Sequence, residues 1–342
     1  MDNSSSETLQ QGADVGAAGF PDSEERSEPG PSTTSGSGVA LPPLIDRNYG
    51  EISRRFPAGT RNHIPVFWSV PRSGSNVMLA TFGGCLKLVV ANELGGARNH
   101  DNEQTLQIHR TSNGMSYANV DPTTVEGIQR SQLLGLSSSI QVDVIFTPLV
   151  NLAAPIFTPT NPGRIFALFR HPVERAISRY HQLRKVDPRV RSVTLEEWAS
   201  WDASDDGGGD SGPEDNWMTK SLLGANEYTP PLTDGDRDVA LEILKRKILV
   251  GLADDIPASV RRFEKYFGWD KTLAAGDASM VECRNDLMEK VPAQGNKQQS
   301  SKGFGVEEGD EVWMLLAERN RYDLEVYEFA RYLWRIQAAL VR

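Results

Sequence analysis

Arg72, Ser73, Gly74, Ser75 and Asn76 stand together inside "VFWSVPRSGSNVML", residues 66–79. An apolar run ends at Val70, and an apolar helical spacing resumes at Met78, Phe82, Leu86 and Val89. A strand, a tight loop and a helix in that order aim backbone N–H groups and the positive end of the helix dipole at one point. The hydroxyls of Ser73 and Ser75 add donors, Arg72 adds charge, and Gly74 lets the backbone come close. That is the chemistry of an anion cradle. Taken alone, the loop also reads as a plain strand-to-helix turn built from small residues. The lysine of the G-x-x-x-x-G-K-[ST] nucleotide loop is absent.

A second stretch, "RIFALFRHPVERAISRY" at residues 164–180, repeats the layout. Arg170 ends an apolar run, Pro172 suits the first turn of a helix, and Ser178 follows the arginine by eight residues. Arg170 offers a planar fork of donors to phosphate oxygens. Its plainer fate is an ion pair with Glu174 or Glu196.

Elements are needed to hold these two stretches. Residues 64–70, 142–146, 164–169 and 248–252 are short apolar runs of the kind that buried parallel strands show. Helical spacing follows the first and third. Beyond Leu252, Asp255 can cap a helix, Pro257 can open it, and Val260, Phe263 and Phe267 line one face. A last helix is expected over residues 311–337, with Leu324, Tyr327, Ala330 and Trp334 on its packing face. Strands alternating with helices predict a three-layer α/β domain with a mainly parallel central sheet. Ligands in such sheets lie beyond the C-terminal strand ends.

Composition sets the outer limits. The chain has 342 residues, 39% of them hydrophobic and 24% charged, as in an ordinary globular protein. Residues 1–45 hold seven acids and one arginine, so −6 of the net −10 sits there and −4 remains for the rest. This Ser-, Gly-, Glu- and Pro-rich segment is expected to stay disordered, leaving a domain over residues 46–342 with an acidic surface loop at 202–215. No long basic run or basic–aromatic repeat indicates nucleic acid. No stretch of ~20 apolar residues is present to span a membrane, and no signal layout opens the chain, so a soluble chain is expected. Cys85 and Cys283 could form one disulfide at most, which leaves pairing and compartment open.

Together the two stretches resemble the sulfotransferases that use 3′-phosphoadenosine 5′-phosphosulfate (PAPS), including the Golgi carbohydrate and tyrosylprotein types. "DNWMTKSLLG", "ILVGLADDIPASVRRFEKYFG" and "ERNRYDLEVYEFARYLW" extend the likeness toward the uronyl and related carbohydrate enzymes. The resemblance implies a P-loop-type fold and transfer of a sulfuryl group to a hydroxyl or amine, with a carbohydrate as the expected acceptor. It implies that Arg72, Ser73, Gly74, Ser75 and Asn76 hold the 5′-phosphosulfate and that Arg170 and Ser178 hold the 3′-phosphate. "SSKGFG" resembles a further nucleotide loop, which adds Ser301, Lys302 and Gly303 as lesser candidates. Many relatives place lysine where Arg72 stands; the tyrosylprotein type places arginine. No metal is implied. The compartment is the Golgi lumen if the chain follows the carbohydrate relatives and an anchor is missing, and otherwise the cytoplasm.

The general base is less clear. Carbohydrate relatives carry a histidine in the region matching "VIFTPLVN", where this chain has Thr147, Pro148 and Leu149. In the tyrosylprotein type a glutamate stands at the separation seen here between Arg72 and Glu93. Glu93, expected at the end of the first helix, reads equally as an exposed glutamate. His109 is the second candidate, and a lone loop histidine is more often structural. Two other readings stay open. One is a nucleotide kinase or hydrolase, with Asp254 or Asp255 as a magnesium carboxylate. The other is a nucleotide-binding module that has lost its base.

Overall fold

The computed structural model describes residues 38–53, 56, 62–97, 100–201, 211–225, 230–298 and 305–341, apart from the side chains of 101 and 292–298. Seven strands make one sheet: β1 (Ile64–Trp68), β2 (Val90–Ala91), β3 (Ile108–Arg110), β4 (Ser116–Ala118), β5 (Val144–Thr147), β6 (Gly163–Phe169) and β7 (Ile248–Leu252). Their order is β3-β4-β2-β5-β1-β6-β7, and every pairing is parallel except that of β3 with β4. The helices in the first half are α1 (Pro43–Asn48), α2 (Ser75–Leu79), α3 (Val125–Leu133), α4 (Val150–Ala153), α5 (Pro172–Val186) and α6 (Leu195–Ala199). In the second half they are α7 (Trp217–Leu223), α8 (Asp234–Lys247), α9 (Ile256–Phe267), α10 (Trp269–Ala275), α11 (Ala278–Gln298), α12 (Glu311–Arg319) and α13 (Arg321–Ile336).

The strands predicted from apolar runs are the sheet's centre and one edge: β5, β1, β6 and β7. All but the last residue of β7 in these four strands are buried, as both faces are covered. Side chains alternate between two cores. Val66, Trp68, Ala167 and Val250 pack with residues of α7, α8 and α13. Phe67, Phe166, Leu168 and Leu249 pack with α2, α9 and α10. Phe166 meets Phe67, Phe263, Phe267 and Trp269 at ring separations of 4.9–5.9 Å, and losing such a ring costs about 3–5 kcal/mol. Around the central sheet this makes the three-layer α/β domain expected from the alternation.

Several expectations are corrected. The first helix does not run on to Glu93. α2 continues as one π-helical segment, Ala80–Cys85, and stops; Lys87 takes a φ of 58° and the chain enters β2. The last helix breaks at Asn320, whose side chain turns inward to the Glu214 and Leu316 carbonyls at 3.1 and 2.9 Å. Folded chain begins before residue 46, since Leu41 and Ile45 are in the core. The remainder of the expected disordered tail, residues 1–37, lies outside the described residues, as do 202–210 of the expected acidic loop. In the part of that loop that is described, Ser211 and Glu214 are buried while Asp215 is exposed. Cys85 and Cys283 are joined, which ties the end of the π-helical segment to α11.

Candidate anion-binding site

β1 and β6 are neighbours and parallel, so both loops open at the same edge of the sheet. The first loop follows β1 and enters α2 through Gly74, whose φ is 108°. A side chain at Gly74 would crowd Ile256 and Leu168, each 3.3 Å from the added carbon, and would be strained at that φ. Arg72 also lies in the left-handed region, with a φ of 61°. That conformation costs a non-glycine residue roughly 1–2 kcal/mol, so other contacts must hold it.

They are supplied from α5 and the turn that precedes it. Arg170 Nη1 donates to the Arg72 carbonyl at 3.1 Å, and Arg175 Nε donates to the Pro71 carbonyl at 3.0 Å. Arg72 Nε donates to Ser178 Oγ at 3.1 Å. The two stretches singled out by sequence therefore form one cluster rather than two separate ones. Ser73, Arg170 and Ser178 are buried, while Arg72 reaches the surface.

Polar capacity is left open here. The Ser73 hydroxyl is buried without a hydrogen-bond partner among the described residues. The first N–H groups of a helix have no acceptor within it, and no side chain caps those at the α2 entry. Desolvation and, next, the adjacent Arg170 lower the Arg72 guanidinium from its ordinary pKa, with Glu214 opposing. Arg170 is likewise lowered by desolvation, against the pull of Glu174. Its plainer fate is partly realised, since Arg170 Nε meets Glu174 Oε2 at 3.3 Å. An anion would relieve the crowding of these two cations and fill the unused donors.

The base candidates separate. Ala91 of β2 is level with Ile145 of β5, which is level with Val66 of β1. Glu93 follows at the same edge as the loops, two strand spacings or roughly 10 Å to the side, and is exposed. Between them β5 ends at Thr147, whose Oγ1 accepts from the Leu149 N–H at 3.0 Å. His109 is elsewhere. It lies on β3, four strand spacings or roughly 19 Å from β1, and is not brought to the loops. Its Nε2 meets Glu103 Oε2 at 3.1 Å, and His100 Nδ1 meets the other carboxylate oxygen at 3.2 Å. His100 Nε2 also meets the Tyr117 hydroxyl at 3.2 Å. The two imidazoles are stacked at 3.8 Å and 24°, and one ring nitrogen of each meets the Glu103 carboxylate. The group closes on itself by hydrogen bonds. Ser301, Lys302 and Gly303 lie outside the described residues.

Sequence reading passed over Arg175, Glu214 and Asp323. An arginine set among Val173, Ala176 and Ile177 on the buried face of α5 was the available signal. Asp254, one of the carboxylates considered for magnesium, accepts from the Tyr327 hydroxyl at 3.0 Å. His171, beside Arg170, stacks on Trp313 at 5.0 Å, and burial lowers its pKa. No helix among the described residues is long and apolar enough to cross a membrane. Comparison with protein-family models and with curated proteins finds no match to this chain.

Proposed function

We propose that the protein is a PAPS-dependent sulfotransferase that acts on a hydroxyl, or an amine, of a carbohydrate acceptor. The observation that carries this reading is the meeting of Arg72 and Ser178 at one sheet edge, with Arg170 on the Arg72 carbonyl. Two anionic ends of one nucleotide need such a paired site, and a simple strand-to-helix turn does not. In this reading Ser73–Asn76 and Arg72 take the 5′-phosphosulfate, and Arg170 and Ser178 take the 3′-phosphate.

The transfer is in line. The acceptor oxygen forms a bond to sulfur as the bond from sulfur to the bridging oxygen breaks. Negative charge grows on that bridging oxygen, which leaves with adenosine 3′,5′-bisphosphate, and Arg72 stabilises it. Glu93, at the same edge, takes the acceptor proton. Arg72 thus supplies charge that a lysine and a magnesium ion supply in nucleotide kinases. The bond between Asp254 and Tyr327 weighs against the kinase reading, because that carboxylate is already engaged. The Cys85–Cys283 disulfide favours an oxidising compartment such as the Golgi lumen over the cytoplasm.

Calorimetric titration in EDTA tests the proposal. Adenosine 3′,5′-bisphosphate is expected to bind far more tightly than adenosine 5′-phosphate. Equal affinities remove the 3′-phosphate pocket, and binding that demands magnesium restores the kinase reading. Tight bisphosphate binding with no sulfate transfer to any glycan, peptide or small hydroxy compound would leave an inactive nucleotide-binding module.

A further inference from the structure

We infer that Arg175 is a positioning residue for the anion loop, an assignment that rests on the nucleotide reading above and extends it. Arg175 is fully buried on α5. Its Nε holds the carbonyl of Pro71, the first residue of the loop, at 3.0 Å. Its terminal nitrogens reach Glu214 Oε2 at 2.6 Å and Asp323 Oδ2 at 3.5 Å. Both carboxylates are buried.

Each of those partners is fixed in turn. Asp323, on α13, accepts from the Met218 and Thr219 N–H groups at 2.8 Å and from the Thr219 hydroxyl at 2.9 Å, so it caps α7. Glu214 lies 3.6 Å from Arg179, which shares it. The Trp217 ring centre is 5.4 Å from the Arg175 guanidinium. One planar group therefore joins the loop to α7, α13 and the segment before α7.

Stability alone is weak ground for such an arrangement. Apolar residues of similar volume fill a buried ionic site as well or better. What they cannot do is donate to the Pro71 carbonyl. Arg170 holds the next carbonyl, that of Arg72, at 3.1 Å. Because peptide groups are planar, fixing two in succession sets the angle at which the chain enters α2. That angle decides where the Ser73 hydroxyl and the N–H groups of Gly74, Ser75 and Asn76 point. A lysine in place of Arg175 would keep the charge, but its point-like head cannot serve carbonyl and both carboxylates in one plane.

The test uses Arg175→Lys in the full chain, with two readouts. Without ligand, hydrogen exchange at the amides of residues 73–76 is expected to quicken while the middle of α5 is unchanged. With ligand, affinity for adenosine 3′,5′-bisphosphate is expected to fall roughly tenfold, as for one lost buried hydrogen bond. Affinity for adenosine 3′-phosphate, which has nothing to place in the loop, is expected to hold. A merely structural arginine would weaken both nucleotides together. Unchanged loop exchange in a folded variant overturns the proposal. If the wild type binds the two nucleotides equally, the nucleotide reading fails, and loop exchange still decides the role of Arg175. Should Arg175→Lys not fold, Glu214→Gln frees one arm of the guanidinium and is judged by the same exchange pattern.

Discussion

Two polar clusters sit at different places on the same sheet, and they differ in how complete they are. At the β3 edge, His100, Glu103 and His109 satisfy one another, and Asn119 adds a further donor to Glu103. Beyond β1 and β6, two arginines crowd together, Glu174 meets one of them, and the Ser73 hydroxyl has no partner among the described residues. By residue type the histidine cluster looks the more catalytic. By physics it is the finished one. A fold seldom leaves a buried hydroxyl unpaired beside neighbouring cations unless something else completes the set. The loop cluster is therefore the better candidate for ligand binding, and the edge cluster the better candidate for holding a hairpin in place.

The largest effect expected from this contrast is at Glu93. Glu93→Gln keeps the shape of the side chain but cannot take the acceptor proton. Turnover is expected to fall about 10²–10⁴-fold, with bisphosphate affinity little changed. His109→Ala, at the far edge, is expected to leave turnover near wild type. Steady-state sulfate transfer with both variants checks this, and the reverse pattern would break the comparison.

A smaller effect is expected at Arg170. Arg170→Ala removes a charged donor and the clamp on the Arg72 carbonyl, so bisphosphate affinity should weaken by roughly 1.5–3 kcal/mol. Ser178→Ala should cost less. Calorimetry on both singles and the double variant is the measurement, and coupling between them is expected, since both touch Arg72. Simple additivity would separate the two loops again.

How far these sites could be read from sequence depended on how local their causes were. The central strands announced themselves because burial on both faces demands unbroken apolar runs, as in "RIFALF". Asp255 capping α9, by accepting from the Ala258 N–H at 3.0 Å, was legible because capping spans three residues. The β2, β3 and β4 strands were not, since two or three residues carry no period. The loop residues were legible by type and spacing. Arg175 was not, because its partners Glu214 and Asp323 lie far along the chain and no local pattern predicts a buried ion network. Asn320 breaks the last helix through contacts of the same distant kind.

An intermediate effect should sharpen the loop side of the comparison. Glu174 is paired with Arg170, so a phosphate at Arg170, as proposed, would compete with it. Glu174→Gln removes the competing charge, and bisphosphate affinity is expected to rise a few-fold, in line with about 0.5–1 kcal/mol for a partly exposed pair. A fall in affinity, read by the same calorimetry, would mean that Glu174 orients Arg170 instead of competing for it.

The smallest effect on nucleotide binding, none at all, is expected at Glu103, where the consequence is acid stability instead. The hydrogen bond to His109, with those to Asn119 and His100, holds the Glu103 carboxyl at a pKa of about 2, against an ordinary value of 4.5. A group whose folded pKa is depressed stabilises the fold above its unfolded pKa, and that contribution is lost as pH falls toward the folded value. Stability tied to Glu103 should thus be fully present above about pH 4.5 and disappear between there and pH 2. Urea midpoints measured from pH 6 down to about pH 2 should fall more steeply in the wild type than in Glu103→Gln. Taking the difference between the two removes the contribution of other acids, such as Asp187, whose pKa is also held low by Arg189. Bisphosphate affinity at neutral pH should be the same in both proteins. Parallel acid profiles would show that the edge cluster is not closed in the way its hydrogen bonds indicate. A loss of nucleotide affinity would show that the two clusters are not independent.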